Sequence, residues 1–382
     1  MRIPVQNWRS VPRSHEPYLS RLYQTDWNRI ARLIVHQSLK TEPGERVLIH
    51  ADPTYFPELT EQVRIEFTKA GAIELGTLTF FSPGLTAVRN RLRRRDDPTL
   101  RRQEDELMKA LFALADIYVW LPNSWSLSSG QSEAILRTWP GRAVHFHWIT
   151  HTADPVVFQQ LSAQYERALF VDYARLTAQQ ERLADALRGA EVRITNPHGT
   201  DVTFTIRDDA HFDLSNGDAS RAYVAAHAQA GSARDREKEL PCGLVRTIDV
   251  AGATGQMVFG DASYGDRYVG WLRVDLADGR ATRITSEHHA AWVGALWEQE
   301  SGDRDRAAEF LIGCNPELRP IEGIAEIPYW GSGAGVVRLN VGDNLESGGE
   351  YRSSFQLGDF LTDATLTANG RTLVDAGALV FD

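Results

Sequence analysis

The sequence contains very little cysteine. Only Cys242 and Cys314 occur among 382 residues, which excludes a disulfide-stapled scaffold and a metal site of four thiolates. Such sparse cysteine usage is typical of a protein from a reducing compartment. We therefore expect a cytoplasmic protein.

Long hydrophobic runs are also missing. No stretch of about 18 apolar residues is present, so we expect no membrane-spanning helix and no membrane partner. The chain begins with MRIPVQNWRSVPRSHEPY. That segment lacks the apolar core of a secretory signal, and we expect none.

An excess of positive charge is absent too. The chain has 41 Lys and Arg against 51 Asp and Glu, a net charge of -10. Acidic proteins repel nucleic acid and anionic lipid. One dense basic run, Arg89–Arg102, is followed directly by acidic residues, which is typical of a solvated loop and helix start. We expect a small-molecule substrate and no nucleic-acid partner.

The composition is that of a globular protein, with 42% hydrophobic and 24% charged residues. The length predicts two domains. Up to about residue 165, short apolar runs alternate with helical patterns, which predicts a doubly wound parallel sheet. The predicted strands are Arg46–His50, Ile73–Leu78, Asp116–Leu121 and Ala143–Trp148, and a helix is predicted over Ser132–Thr138. Ala51-Asp52-Pro53 follows the first strand in place of a glycine-rich phosphate loop, which disfavours a dinucleotide cofactor.

The second half changes pattern. Two alternating segments, Glu191–Thr195 and Val202–Ile206, flank a turn and predict a hairpin. Helices are predicted for Glu287–Trp297 and, as a short segment, Ala307–Leu311. We therefore predict an α/β domain over residues 1–170, an α+β domain over 171–382, and a hinge within 163–177.

Several segments of the chain resemble the aminopeptidase T family of metallopeptidases. They lie in the family's order over nearly the whole length: KTEPGERVLIHAD (40–52), VRITNPHGTDVTF (192–204), LPCGLV (240–245), AEFLIGCNP (308–316) and GVVRLNVGDN (335–344). The same fold carries the 2,5-dihydroxypyridine dioxygenases, which use a mononuclear iron site. The resemblance implies this fold, a cleft between two domains and a homodimer.

The family's metal ligands are largely replaced. Its aminopeptidases bind metal through two Glu, two His, a Tyr and an Asp, and these positions fall on Leu244, Glu309, Arg338, Leu345, Gln356 and Gly358. Leucine offers no lone pair, and arginine repels a cation. Only Glu309 is retained, although Asp359 lies one position away from the family's Asp. We therefore expect no metal and no other cofactor.

The replacement leaves a candidate catalytic set at the same positions. Glu309 would act as general acid or base, Arg338 as a clamp for an anion, and Gln356 as a hydrogen-bond donor that orients a carbonyl. This set predicts a metal-independent hydrolase or lyase acting on a small polar, carboxylate-bearing molecule in the cleft. Glu309 and Arg338 could equally form a structural ion pair left from the ancestral site.

Four further residues are candidates for substrate binding: His145, His147, Asp359 and Cys242. His145 and His147 share one side of a predicted strand near the carboxyl end of the parallel sheet, where α/β proteins bind ligands. They could instead be structural or offer two ligands to zinc, but the sequence supplies no third ligand. Cys242 fits a buried small hydrophobic residue as well as a reactive thiol.

Two other functions stay open. One is an iron-dependent ring-cleaving dioxygenase or a metallo-aminopeptidase with unaligned ligands, such as Asp359, Glu309 and a histidine of the first domain. The other is a non-catalytic binding protein or an inactive subunit of a heteromer.

Overall fold

The computed structural model describes residues 25–52, 55–78, 98–122, 137–149, 154–264, 267–321, 331–354 and 356–381. Within these ranges the chain divides into two compact units. The parallel-sheet unit comprises the residues up to Leu169 together with Gly217–Pro241. The antiparallel-sheet unit comprises Phe170–Asn216 and the residues from Cys242 onward. The fold is thus a mixed α/β fold with both kinds of sheet.

The helices of the described residues are α1 (Trp27–Arg32, continued as a π-helix over Leu33–Ser38), α2 (Pro57–Lys69), α3 (Pro98–Leu114), α4 (Pro155–Leu169), α5 (Tyr173–Leu187), α6 (Arg221–His227) and α7 (Ala290–Gln299). A 3₁₀ turn spans Leu345–Ser347. No helix of the described ranges is both long enough and apolar enough to span a membrane.

The strands are, in chain order, β1 (Arg46–His50), β2 (Ile73–Leu78), β3 (Ile117–Trp120), β4 (Arg142–Phe146), β5 (Glu191–Thr195), β6 (Asp201–Ile206), β7 (Asp213–Ser215), β8 (Glu237–Leu240), β9 (Leu244–Thr247), β10 (Val250–Tyr264), β11 (Arg267–Ala277), β12 (Arg280–Ser286), β13 (Ala307–Gly313), β14 (Val337–Gly342), β15 (Gln356–Leu357), β16 (Thr365–Ala368), β17 (Arg371–Asp375) and β18 (Ala378–Leu379).

The parallel-sheet unit is built on a five-stranded sheet of order β2-β1-β3-β4-β8. All four strand pairs are parallel. Its core includes Leu48, Phe112, Tyr118 and Trp139, with Phe112 and Trp139 edge to face at 5.3 Å. The chain runs from β1 outward to β2 and then to β3 on the other side of β1. Ligands of open α/β sheets bind at the carboxyl ends of strands where the order reverses in this way.

Strand β8 belongs to Gly217–Pro241, a segment of the parallel-sheet unit that lies in the sequence between two stretches of the antiparallel-sheet unit. The division between Leu169 and Phe170 falls inside the predicted hinge, but Gly217–Pro241, which the sequence analysis placed in the second domain, belongs to the parallel-sheet unit. The reason is that β8 pairs with the edge of β4 in parallel register. Its sequence, Glu-Lys-Glu-Leu, has no apolar pattern that would reveal a strand.

The antiparallel-sheet unit contains an eight-stranded sheet of order β12-β11-β10-β6-β5-β16-β17-β18 and a five-stranded sheet of order β15-β14-β13-β9-β7. Phe204 and Phe310, one from each sheet, pack with ring centroids 5.3 Å apart. The predicted hairpin is present as β5 and β6. From α5, the Gln180 side chain donates to the carbonyls of Ser215 and Leu244 at 3.0 and 2.9 Å, which ties the helix to β7 and β9.

One predicted helix is wrong. Ala307–Leu311 forms part of β13, which is paired on both sides and buried along its whole length. A central strand of this kind needs no alternation of apolar and polar residues, so its short apolar run cannot be distinguished from a buried helix. The predicted helix Ser132–Thr138 and the basic run Arg89–Arg102 lie mostly outside the described residues.

Candidate functional site

Two of the positions where the resembled family has metal ligands, Glu309 and Arg338, lie on one face of the five-stranded antiparallel sheet. Glu309 of β13 lies opposite Asn340 of β14, and Leu311 lies opposite both Arg338 of β14 and Arg246 of β9. Directly paired residues and residues two apart point to the same face. The register therefore gathers Glu309, Asn340 and two guanidinium groups.

Glu309 is fully engaged by these neighbours. Its Oε1 accepts from Arg338 Nη2 at 2.6 Å and from Asn340 Nδ2 at 3.2 Å. Its Oε2 accepts from the Ser347 hydroxyl and lies 3.8 Å from Arg246 Nε. The residue is only 5% exposed. The ion pair with Arg338 that the sequence analysis considered is present, and both carboxylate oxygens have donors.

The second guanidinium has a second acidic partner. Arg246 Nη1 lies 3.6 Å from Asp213 Oδ2, across the pairing of β7 and β9. Both residues are buried. Two arginines and two acids thus balance each other within this buried cluster, as buried charges require.

Asp359 lies beside the cluster because the chain after β15 returns along β14. Leu361 and Val337 exchange backbone hydrogen bonds of 2.8 and 3.0 Å, and this brings Asp359 and Phe360 next to Arg338. The Arg338 guanidinium lies 5.1 Å from the Phe360 ring centroid. Burial raises the pKa of Asp359, although the Phe360 N–H and the charge of Arg338 lower it in part.

Gln356 is placed differently. It pairs with Gly342, four residues along β14 from Arg338, a separation of roughly 13 Å along the strand. The side chain is exposed, and its Nε2 donates to the Asp343 carbonyl at 3.2 Å. The structure therefore places Glu309, Arg338 and Asp359 in one region and directs Gln356 to the backbone carbonyl of Asp343, just beyond the end of β14.

Cys242 is completely buried. Its backbone carbonyl accepts from Asn315 Nδ2 at 2.8 Å, and its side chain is a reduced thiol. Burial raises the pKa of the other thiol, that of Cys314. A buried protonated thiol is a poor nucleophile.

The donor set at the positions that align with the resembled family's ligands does not fit a transition metal. Two guanidinium groups face the one retained carboxylate, and Leu244 and Leu345 offer no ligand atoms. A side chain at Gly358, where the family has aspartate, would place its Cβ 1.7 Å from Asn340 Oδ1. Both the charges and the packing therefore oppose a cation at these positions.

A second constellation lies on the parallel-sheet unit, at the carboxyl ends of its strands. His50, Trp120, His145 and Glu239 are directly paired, one residue from each of β1, β3, β4 and β8. We call these four residues the cross-strand row. Trp120 stacks on His145 at 4.0 Å with 2° between the ring planes, and on His50 at 5.5 Å with 9°.

His147 extends this row. It follows β4 and continues the ladder, since its N–H donates to the Leu240 carbonyl at 2.7 Å. Its ring lies 4.0 Å from that of His145. Burial lowers the pKa of both imidazoles, so each is neutral near pH 7 and can offer a nitrogen lone pair. The predicted shared side of His145 and His147 is thus observed.

The far end of the row is a buried hydrogen bond. His50 Nδ1 lies 2.8 Å from the Tyr118 hydroxyl, and burial lowers the pKa of His50 to about 3. Sequence reasoning missed His50, Trp120 and Glu239 as partners of His145. The position of His50 and Trp120 at the ends of two predicted strands was a usable signal, whereas nothing in the sequence marked the strand that carries Glu239.

Two solved structures share the fold of this chain. 2,5-Dihydroxypyridine dioxygenase from Pseudomonas putida KT2440 is 14% identical, with a TM-score of 0.60 over 97% of this chain and 99% of that chain. AmpT, an aminopeptidase T from Thermus thermophilus, is 15% identical, with a TM-score of 0.63 over 93% and 98%. No protein-family model matches the chain, and no curated protein matches its sequence. The fold predicted from the motifs is confirmed, and at these identities the likeness concerns the fold.

Proposed function

We propose that the chain is a metal-independent hydrolase or lyase in which Arg338 binds the carboxylate of a small polar molecule and Asp359 moves a proton. The observation that supports this most is a guanidinium held by Glu309 and by the Phe360 ring, whose charge also acts on a second carboxyl group, that of Asp359. Both fold neighbours are enzymes by name, which supports an enzymatic role in general.

Arg338 has the features of a preformed anion site. Glu309 holds one nitrogen at 2.6 Å, and the Phe360 ring supports the guanidinium from the side. The side chain is 19% exposed, so molecules from solvent reach it. A planar guanidinium binds a carboxylate through two parallel hydrogen bonds, which an ammonium group cannot imitate.

Asp359 is the better proton carrier of the two acids. Its raised pKa brings its proton affinity closer to neutral pH, as acid–base catalysis requires. In a hydrolysis, its carboxylate would take a proton from the attacking water and return it to the leaving group. In an elimination, it would take the proton from the carbon next to the substrate carboxylate.

Glu309 then acts as a positioning residue. The acid–base role predicted for Glu309 from the sequence does not suit its surroundings, because its oxygens face Arg338, Asn340, Ser347 and Arg246. Donors of this kind hold the carboxylate in one orientation. Its contribution is to hold Arg338 in place.

The test is a turnover screen with the full chain. The panel contains monoamides and monoesters of short dicarboxylic acids, their uncharged diamide and diester counterparts, aminoacyl p-nitroanilides, and 2,5-dihydroxypyridine under oxygen. We expect activity on carboxylate-bearing amides or esters and much weaker activity on the uncharged counterparts. Asp359→Asn should then lower kcat about 100-fold or more.

Arg338→Lys separates binding from chemistry. It keeps the positive charge but loses the planar guanidinium that makes two parallel hydrogen bonds, so kcat/KM should fall roughly 5- to 150-fold. The matched control is Arg371→Lys, since Arg371 also lies over a phenylalanine ring, Phe381, at 4.4 Å in the same unit. Two results contradict the proposal: turnover that is unchanged in Asp359→Asn, and turnover that is equally fast for carboxylate-bearing substrates and their uncharged counterparts. Binding of succinate without turnover would support the alternative of a binding protein.

A further inference from the structure

We propose that His145, His147 and Glu239 bind a divalent transition metal ion at the carboxyl edge of the parallel sheet. This site lies on the parallel-sheet unit, whereas the positions of the family's metal ligands lie on the antiparallel-sheet unit. The inference goes beyond the proposed function and does not depend on it.

Strand pairing brings the three side chains together. Glu239 of β8 is the direct parallel partner of His145 of β4, so both point to the same face of the sheet. His147 lies two residues beyond His145 and therefore returns to that face. The ladder contact from its N–H to Leu240 fixes its backbone beside β8.

The ligand atoms of the three residues all lie within 4.8 Å of one another. In the ranges that the structure describes, this is the one group of three His, Cys, Asp or Glu side chains so arranged. Ligands about 2.0–2.2 Å from a metal ion are roughly 3.4 Å apart in a tetrahedral site. Side-chain rotations that move the ligand atoms by about 1 Å would bring them to this spacing, with no movement of the strands.

The ligand types indicate the class of metal. Two imidazoles with one carboxylate form the ligand set of catalytic zinc sites and of non-haem iron(II) sites. Three protein ligands leave at least one position for water or another small ligand. Trp120, stacked on His145 at 4.0 Å, fixes the plane of the first imidazole.

The charges around the site favour a cation. Glu237 and Glu239 lie on the same side of β8, and Arg234 bridges them at 3.2 and 2.8 Å. Two carboxylates and one guanidinium leave a net negative charge. Lys238 points to the other side of the strand, where its ammonium group lies 5.3 Å from the Tyr223 ring.

The experiment uses the full chain, stripped with EDTA and dialysed. Isothermal titration with ZnCl2 and CoCl2, and anaerobically with an iron(II) salt, should give one ion per chain. Bound cobalt should show visible absorption bands of low-coordinate Co²⁺. Comparison of the three titrations, together with elemental analysis of the purified protein, distinguishes a zinc site from an iron site.

Five variants locate the ion. His145→Ala, His147→Ala and Glu239→Gln should each weaken binding about 100-fold or more, whereas the control His227→Ala, which removes an exposed histidine of the same unit, should leave it unchanged. Arg234→Gln should strengthen binding several-fold, because it removes the cation nearest Glu239. If Glu239 served only as a structural partner of Arg234, Arg234→Gln would not strengthen metal binding.

Circular dichroism of each variant shows whether it is folded. If a variant unfolds, protection of the wild-type histidines from diethylpyrocarbonate by Zn²⁺ provides a second measurement, read by mass spectrometry at His145 and His147. Wild-type protein that takes up no stoichiometric metal, or folded ligand variants that bind metal as tightly as wild type, would overturn the proposal.

Discussion

Two buried glutamates, one in each unit, both lie between two arginines, yet they are held in different ways. Glu45 receives Arg142 on both oxygens, at 2.7 Å each, and Arg221 at 2.6 Å. Glu309 receives Arg338 through Nη2 at 2.6 Å on one oxygen, with Arg246 Nε 3.8 Å from the other. The first is a two-pronged ion pair, whereas the second relies on Ser347 and Asn340 to complete its contacts.

Exposure and position separate the two clusters further. The Arg142 side chain is 4% exposed, against 19% for Arg338. Glu45 precedes β1, and Arg142 begins β4, so this pair lies at the amino ends of the parallel strands. Ligands of α/β sheets bind at the opposite ends. The comparison indicates that the ion pairs of Glu45 serve the structure, whereas the cluster around Glu309 leaves one arginine, Arg338, accessible to solvent.

The largest expected effect comes from Glu45→Gln. Removing one partner of a buried ion pair leaves an uncompensated charge, so the free energy of unfolding should fall by about 3–5 kcal/mol. Urea unfolding measures the change. Glu74→Gln is the control, since its partner Arg64 is 48% exposed and the loss there should stay under about 1 kcal/mol. Equal losses in the two variants would contradict the distinction between a buried and an exposed pair.

Lysine substitution sharpens the comparison between the two arginines. Arg142→Lys loses both prongs of a two-pronged contact and the hydrogen bond from Nη2 to the Leu39 carbonyl at 3.1 Å. It should cost about 1–3 kcal/mol. Arg338→Lys loses one contact to Glu309 and should cost under about 1 kcal/mol. Chemical unfolding of both proteins provides the values, and a larger loss for Arg338→Lys would refute the assignment of roles.

Much of the fold could be predicted from the sequence. The bounds of β1 and β2 match the predicted strands, because each is a short apolar or β-branched run set off by turn residues. Strand β13 was predicted as a helix because a strand buried on both faces shows no alternation. Strand β8 escaped prediction since it buries the charged residues Glu237 and Lys238. Glu237 pairs with Arg234, and the ammonium group of Lys238 lies over the Tyr223 ring.

The candidate site was predictable to a similar extent. An acidic residue and an arginine in apolar runs indicated a buried ion pair, and Glu309 and Arg338 form one. The pairing of His145 with Glu239 could not be inferred, because 94 residues separate them in the chain and their contact depends on β8 joining the sheet. Distant strand pairing is the information that local patterns lack.

The smallest expected effect is on the pH dependence of stability, and its sign differs between the two acids. The pKa of Glu45 is lowered by its arginines despite burial. Its contribution to stability is therefore present above the unfolded pKa and lost as pH falls through the folded pKa. The pKa of Asp359 is raised by burial. The contribution of Asp359 to the free energy of unfolding is therefore fully present below its pKa in the unfolded chain, and it is lost as pH rises through its pKa in the folded protein.

Asp359→Asn should consequently make the chain slightly more stable than wild type at pH 7, by about 1 kcal/mol or less, and the gain should vanish towards pH 3. Urea unfolding at a series of pH values measures this difference, with Asp375→Asn as an exposed control. A gain in stability together with a loss of turnover is what a functional carboxyl group in an unfavourable environment produces. If Asp359→Asn is less stable than wild type at pH 7, the carboxylate serves chiefly as a structural partner of Arg338.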